Sequence, residues 1–114
     1  MIKKKNELKS ESKCIREGKG QAKLEHIIEG EEFCGKGRLF AKMTIAPGNS
    51  VGYHKHVGDC EAYYILEGEG VLVENGEEKV IKKGEVTYCK EGDSHSIENA
   101  SDKDLVFIAL VLNA

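Results

Sequence analysis

Gly48-Asn-Ser-Val-Gly-Tyr-His54-Lys-His56-Val-Gly-Asp-Cys-Glu61-Ala-Tyr-Tyr-Ile-Leu-Glu-Gly68 is the most informative stretch of the chain. His54 and His56 stand two residues apart, so on a strand both side chains leave the same face, roughly 6–7 Å apart along the backbone. Two imidazoles so placed can close on one ion at metal–nitrogen distances of about 2.1 Å. Val57-Gly58-Asp59 is a turn signal, and Glu61 then opens the next strand with its carboxylate near enough to join them. A carboxylate on the same strand as the apolar stripe Tyr63, Ile65 needs a cation if it is buried. Two neutral nitrogens and one anionic oxygen form a recurring donor set for non-haem iron, manganese or zinc. An H-x-H alone arises by chance in about one chain in seven of this kind. Requiring the glutamate and both framing glycines at their spacings lowers that below about one in a thousand.

On either side of this stretch the chain is punctuated by glycine, thirteen in all. Inside helices each would cost about 1 kcal/mol against alanine, whereas turns between short strands require such residues. Leu39, Ala41, Met43 and Ile45 alternate with Phe40, Lys42 and Thr44, the period of a half-buried strand. Glu61–Leu66, Val71–Val73 and Val80-Ile81 are rich in strand-favouring residues. Asn75-Gly76 lies between two such runs, a strong hairpin signal. The continuous apolar run Leu105–Leu112, short and rich in β-branched residues, predicts an interior strand. Many short strands at regular spacing imply an all-β sandwich or barrel. Residues 1–13, polar and without an apolar period, are expected to form an exposed tail or loosely docked arm, leaving residues 14–114 as one domain.

The composition narrows the function classes. With 39% apolar and 32% charged residues among 114, the chain reads as one soluble globular domain. A net charge of −3 argues against a nucleic-acid partner, and Lys3-Lys4-Lys5 is read as a solvated terminus. No apolar run reaches the roughly 18 residues of a membrane span, and no apolar segment follows the N-terminal lysines as in a signal peptide, so a cytoplasmic location is expected. The four cysteines, without a C-x-x-C pair, are read as free thiols. His26 has no motif around it and is assigned a structural or dimer-interface role, and Cys89 a packing role.

Gly48-x5-His54-x-His56-x4-Glu61-x6-Gly68 resembles the first signature motif of the cupin family at every defining position. Gly84-x5-Lys90-x-Gly92-x2-His95-x3-Asn99 resembles the second, except that Lys90 stands where the family has proline. The resemblance, from about Phe40 to Leu112, implies a jelly-roll β-barrel of two antiparallel sheets. It also implies that His95 completes the ligand set His54, His56, Glu61, His95, that Gly92 allows the turn before His95, and that Asn99 serves the fold. Cupins of this size often pair through their edges and N-terminal segments, and with the small core this makes a homodimer the expectation.

One divalent transition-metal ion (manganese, iron, zinc, nickel or cobalt) suits such a shell. Four protein ligands in an octahedral shell leave two adjacent positions for a small molecule with neighbouring oxygens. Met43, Tyr63, Ile65, Ile97, Phe107 and Ala109 are candidates to line the cavity around it. Two functions follow. One is a metalloenzyme (isomerase, dioxygenase or decarboxylase) acting on a small oxygenated metabolite such as a carboxylic acid, sugar derivative or enediol. The other is a non-catalytic module that captures a metal-chelating metabolite. A decarboxylase or isomerase would want a further acid or base, for which Tyr63, Tyr88 or a neighbouring carboxylate are the candidates.

Overall fold

Short strands separated by glycine turns account for most of residues 1–114, all of which are described in the computed structural model. They are β1 (Ser10–Lys13), β2 (Ala22–Ile28), β3 (Gly37–Ile45), β4 (Ser50–Lys55), β5 (Asp59–Glu67), β6 (Glu69–Glu74), β7 (Glu77–Lys82), β8 (Val86–Cys89), β9 (Ser94–Glu98) and β10 (Leu105–Asn113). A six-stranded sheet runs β1-β2-β3-β10-β5-β8, and a four-stranded sheet runs β4-β9-β6-β7. Every pairing is antiparallel, the all-β jelly roll expected from the sequence.

The apolar run at the C-terminus becomes β10, paired on one side with β3 and on the other with β5. Its alternate residues Leu105, Phe107, Ala109 and Val111 point inward and are fully buried, the first three within one core cluster that also holds Ile97 and Leu72 of the other sheet. Each large side chain sealed there contributes roughly 1.5–3 kcal/mol of transfer free energy. Asn75 and Gly76 both adopt positive φ, 48° and 83°, in the two-residue loop that pairs Glu74 with Glu77. That is the type I′ geometry whose twist suits a tight hairpin. At Gly68 the backbone has φ +80°, and a Cβ would lie 2.6 Å from the Asp104 carbonyl oxygen, so no larger residue fits without displacing that loop.

Asn99 ties the far end of the barrel together. Its side chain donates to the carbonyls of Ile45 (2.8 Å) and Lys103 (2.7 Å) and accepts from the Ser101 amide (3.0 Å) and hydroxyl (2.8 Å).

The N-terminal segment is more ordered than a loose arm. Residues 10–13 pair along β2, from Ser10 opposite Glu25 to Lys13 opposite Ala22, and His26 meets Glu11 at 2.6 Å across that pair. The chain then crosses to the other sheet and hydrogen-bonds along β4: Gly52 N–H to the Ile15 carbonyl, Ser50 N–H to the Lys19 carbonyl, and Lys19 N–H to the Ser50 hydroxyl. Two glycines permit this approach, since a Cβ on Gly18 would lie 2.3 Å from the Ser50 carbonyl oxygen and one on Gly52 1.9 Å from that of Arg16. Residues 15–19 therefore bridge the two sheets.

Candidate metal centre

The pairing of β4 with β9 slips between Val51 and His54: Val51 faces Ile97, while His54 faces His95. One extra residue is thus accommodated at Gly52-Tyr53, and this bulge turns both Val51 and His54 inward while Tyr53 stands exposed. His56, two residues on, shares the inward face. Its backbone is fixed by bonds from its N–H to the Asp93 carbonyl and from Gly92 N–H to its own carbonyl. Lys90 does not disturb that turn: Asp93 N–H reaches the Lys90 carbonyl at 3.0 Å, with Gly92 at φ +91°. Glu61 comes from β5 in the opposite sheet.

His54, His56, Glu61 and His95 each aim one donor atom at a common point, all within 4.8 Å of one another. Nε2 of His56 lies 3.2 Å from that of His54 and 3.0 Å from that of His95. Glu61 Oε1 lies 3.1 Å from His95 Nε2, 3.2 Å from His56 Nε2 and 4.0 Å from His54 Nε2. Adjacent donors on an ion with bonds of about 2.1 Å stand about 3.0 Å apart, so this set fits a transition metal. The tautomers agree. His54 Nδ1 bonds the Gly52 carbonyl at 2.7 Å and His56 Nδ1 bonds Asp59 Oδ1 at 2.6 Å. Both partners accept only, so both Nδ1 atoms carry the proton and can leave Nε2 free to ligate. His95 Nδ1 is buried without a partner, and its ring stacks on Tyr63 at 5.2 Å.

Charge is concentrated here. Burial pushes the Glu61 carboxyl up, but hydrogen bonds from His56 and His95 more than reverse this and bring it to about 2. The bond to Glu61 raises His56 above the ordinary histidine range, against burial and helped by Asp59. Burial lowers His54. Asp59 is itself held by Arg38, whose Nε and Nη2 lie 3.0 and 2.9 Å from Oδ2. An Arg38–Asp59–His56 chain thus supports the cluster from outside, and neither Arg38 nor Asp59 carries a sequence signal that marks it.

A cavity of about 70 Å³ opens onto His54, His56 and Glu61. Met43, Val51, Tyr63 and Val111 form its buried wall; Ile15, Leu39 and the exposed Arg16 and Arg38 form its rim. Of the residues expected to line it, Met43 and Tyr63 do so. Ile65, Ile97, Phe107 and Ala109 do not: each has 0% exposure and is enclosed by other core side chains. Tyr88 faces outward, 60% exposed, because Cys89 takes the inward position on β8. Cys89 is buried, and no cysteine is in a disulfide.

Comparison with known proteins accords with this architecture. The Cupin domain family model matches residues 41–111, more than half of the chain. The chain belongs to the cupin family. This cupin is 48% identical over 98 residues to the oxalate-binding protein of Thermotoga maritima, covering 86% of the chain and 81% of that relative. A solved structure described as a predicted oxalate decarboxylase, also from Thermotoga maritima, superposes on the cupin with a TM-score of 0.94 at 43% identity, each chain fully covered. The polyketide cyclase RemF of Streptomyces resistomycificus shares the fold, with a TM-score of 0.80 at 20% identity over 99% of this chain and 80% of its own.

Proposed function

We propose that this cupin holds one divalent transition-metal ion through His54, His56, Glu61 and His95, and uses it to capture a small carboxylate of the oxalate type. The convergence of four donor atoms, three of them from residues that line a cavity of about 70 Å³, carries the reading. That space admits a ligand of a few heavy atoms and falls far below the roughly 300 Å³ at which drug-sized pockets begin. A bound divalent ion supplies Lewis-acid attraction for two neighbouring ligand oxygens. The apolar wall excludes water, and the similarity to an oxalate-binding protein supports the ligand class.

Capture is favoured over turnover by the chemistry of the lining. Outside the four donors, the titratable lining groups are Arg16, Arg38 and Tyr63. Burial holds the Tyr63 phenol well above its ordinary range, which makes it a poor proton donor near neutral pH. A second copy of the chain is the proposed protein partner, across the outer face of the six-stranded sheet where Tyr64, Val86 and Tyr88 are exposed; light scattering would test that.

Elemental analysis of purified protein beside a His54→Ala, His56→Ala variant tests the site. One equivalent of metal is expected, lost in the variant. Oxalate should bind one-to-one only to metal-loaded protein and be recovered unchanged. Metal at a hundred times its Kd should add about 2.7 kcal/mol of stability, seen as a melting temperature about 10 °C higher. No metal taken up on reconstitution would refute the ligand assignment, and consumption of oxalate would replace capture by catalysis.

A further inference from the structure

Arg16 and Glu17 are consecutive non-glycine residues in the left-handed region, with φ of 53° and 59°. Such backbone is unfavourable for side chains bearing a Cβ and persists only where its surroundings impose it. Here the surroundings are explicit: Gly18 N–H closes a turn on the Ile15 carbonyl, and three further hydrogen bonds fasten residues 15–19 to Ser50 and Gly52. The approach is close enough that glycine is needed on both sides of it.

What this segment presents is the cavity rim. Ile15 and Arg16 both line the space that ends on His54, His56 and Glu61. Arg38, the other arginine there, is neutralised by Asp59, whereas Arg16 enters no ion pair. We infer that the arm clamps Arg16 over the cavity as the counter-charge for the end of the ligand that points away from the metal donors, making the site selective for dianions over monoanions. The inference rests on the proposed capture of a small carboxylate. A divalent ion beside Glu61 leaves one net positive charge, a dianion on it leaves one negative charge, and Arg16 supplies the balance. A monoanion needs no such partner.

The test uses manganese-loaded wild type, Arg16→Gln and Arg16→Lys, each titrated calorimetrically with oxalate and with glycolate, alongside metal analysis. Arg16→Gln should keep one equivalent of metal, bind oxalate about tenfold more weakly and bind glycolate within about twofold of wild type, because a charge-assisted contact is lost for one ligand only. Arg16→Lys should recover most of the oxalate affinity. An Arg16→Gly variant should melt a few degrees higher, since glycine suits the left-handed backbone, while losing oxalate as Arg16→Gln does. Oxalate binding by Arg16→Gln within about threefold of wild type, or equal loss of both ligands, would overturn the inference and leave the capture reading standing. Failure of metal-loaded wild type to bind oxalate would overturn both.

Discussion

Replacing Asp59 by alanine removes a carboxylate that touches no proposed metal donor atom, yet it should weaken metal binding by one to two orders of magnitude. Asp59 Oδ1 accepts from His56 Nδ1 at 2.6 Å, and Arg38 holds Oδ2 through two nitrogens, so the carboxylate cannot swing away. A hydrogen bond with an ionised partner contributes about 1.5–3 kcal/mol. At 1.4 kcal/mol per decade that is roughly a 10- to 150-fold change, in line with the effect of removing the carboxylate behind a metal-bound histidine. The assay is competition for cobalt or manganese against a chromophoric chelator, with circular dichroism to show that the barrel persists. Asp59→Asn keeps an acceptor for His56 and should recover part of the loss. An Asp59→Ala affinity within threefold of wild type would refute the claim that this bond orients the imidazole.

Two further outcomes are expected. Asn99→Ala removes four side-chain hydrogen bonds, so at about 1 kcal/mol each it should cost about 4 kcal/mol and lower the melting temperature by about 15 °C, with metal stoichiometry retained; a loss below about 1 kcal/mol would show that the loops hold without it. His56 has its pKa raised above 6.5, so its proton stabilises the ion-free fold below pH 6.5, and that contribution is lost as pH rises through the folded-state value. Metal takes the neutral ring, so calorimetry in paired buffers should show more protons released on binding at about pH 6.5 than at about pH 8.5, with affinity falling as pH falls; equal release at both would contradict the assignment.

The fold class was legible because its signals are local. Glycine spacing marks the turns, Asn75-Gly76 takes the backbone its residues favour, and alternation in Leu39–Ile45 states which side chains face inward. The grouping of His54, His56 and Glu61 was legible from their spacing in one stretch, and that of His95 only from the resemblance to the second cupin motif. Alternation, however, fixes the face of a strand and not depth along the barrel. Ile65, Ile97, Phe107 and Ala109 therefore looked equivalent to Met43 and Tyr63, although only the latter two reach the cavity. The bulge at Gly52-Tyr53 and the contact of Gly18 with Gly52 depend on pairings between distant segments, which no window of sequence displays. For the same reason the pairing of residues 10–13 along β2 was not legible in the polar stretch 1–13, and neither Asp59 nor Arg16 stood out.

The four donor side chains are divided between the sheets: His54 and His95 from one, Glu61 from the other, His56 from the link between them. An ion gripped by all four would act as a rivet between halves otherwise joined by core packing, the crossing segment 15–19 and a few hydrogen bonds such as that of Asn99 to Ile45. Its escape would then require the barrel to gape rather than a single side chain to swing, so residence time would be governed by the slow openings reported by amide exchange in the buried strands. Carboxylates could come and go through the rim many times in the life of one loaded protein, and the metal would behave as a permanent part inherited at folding.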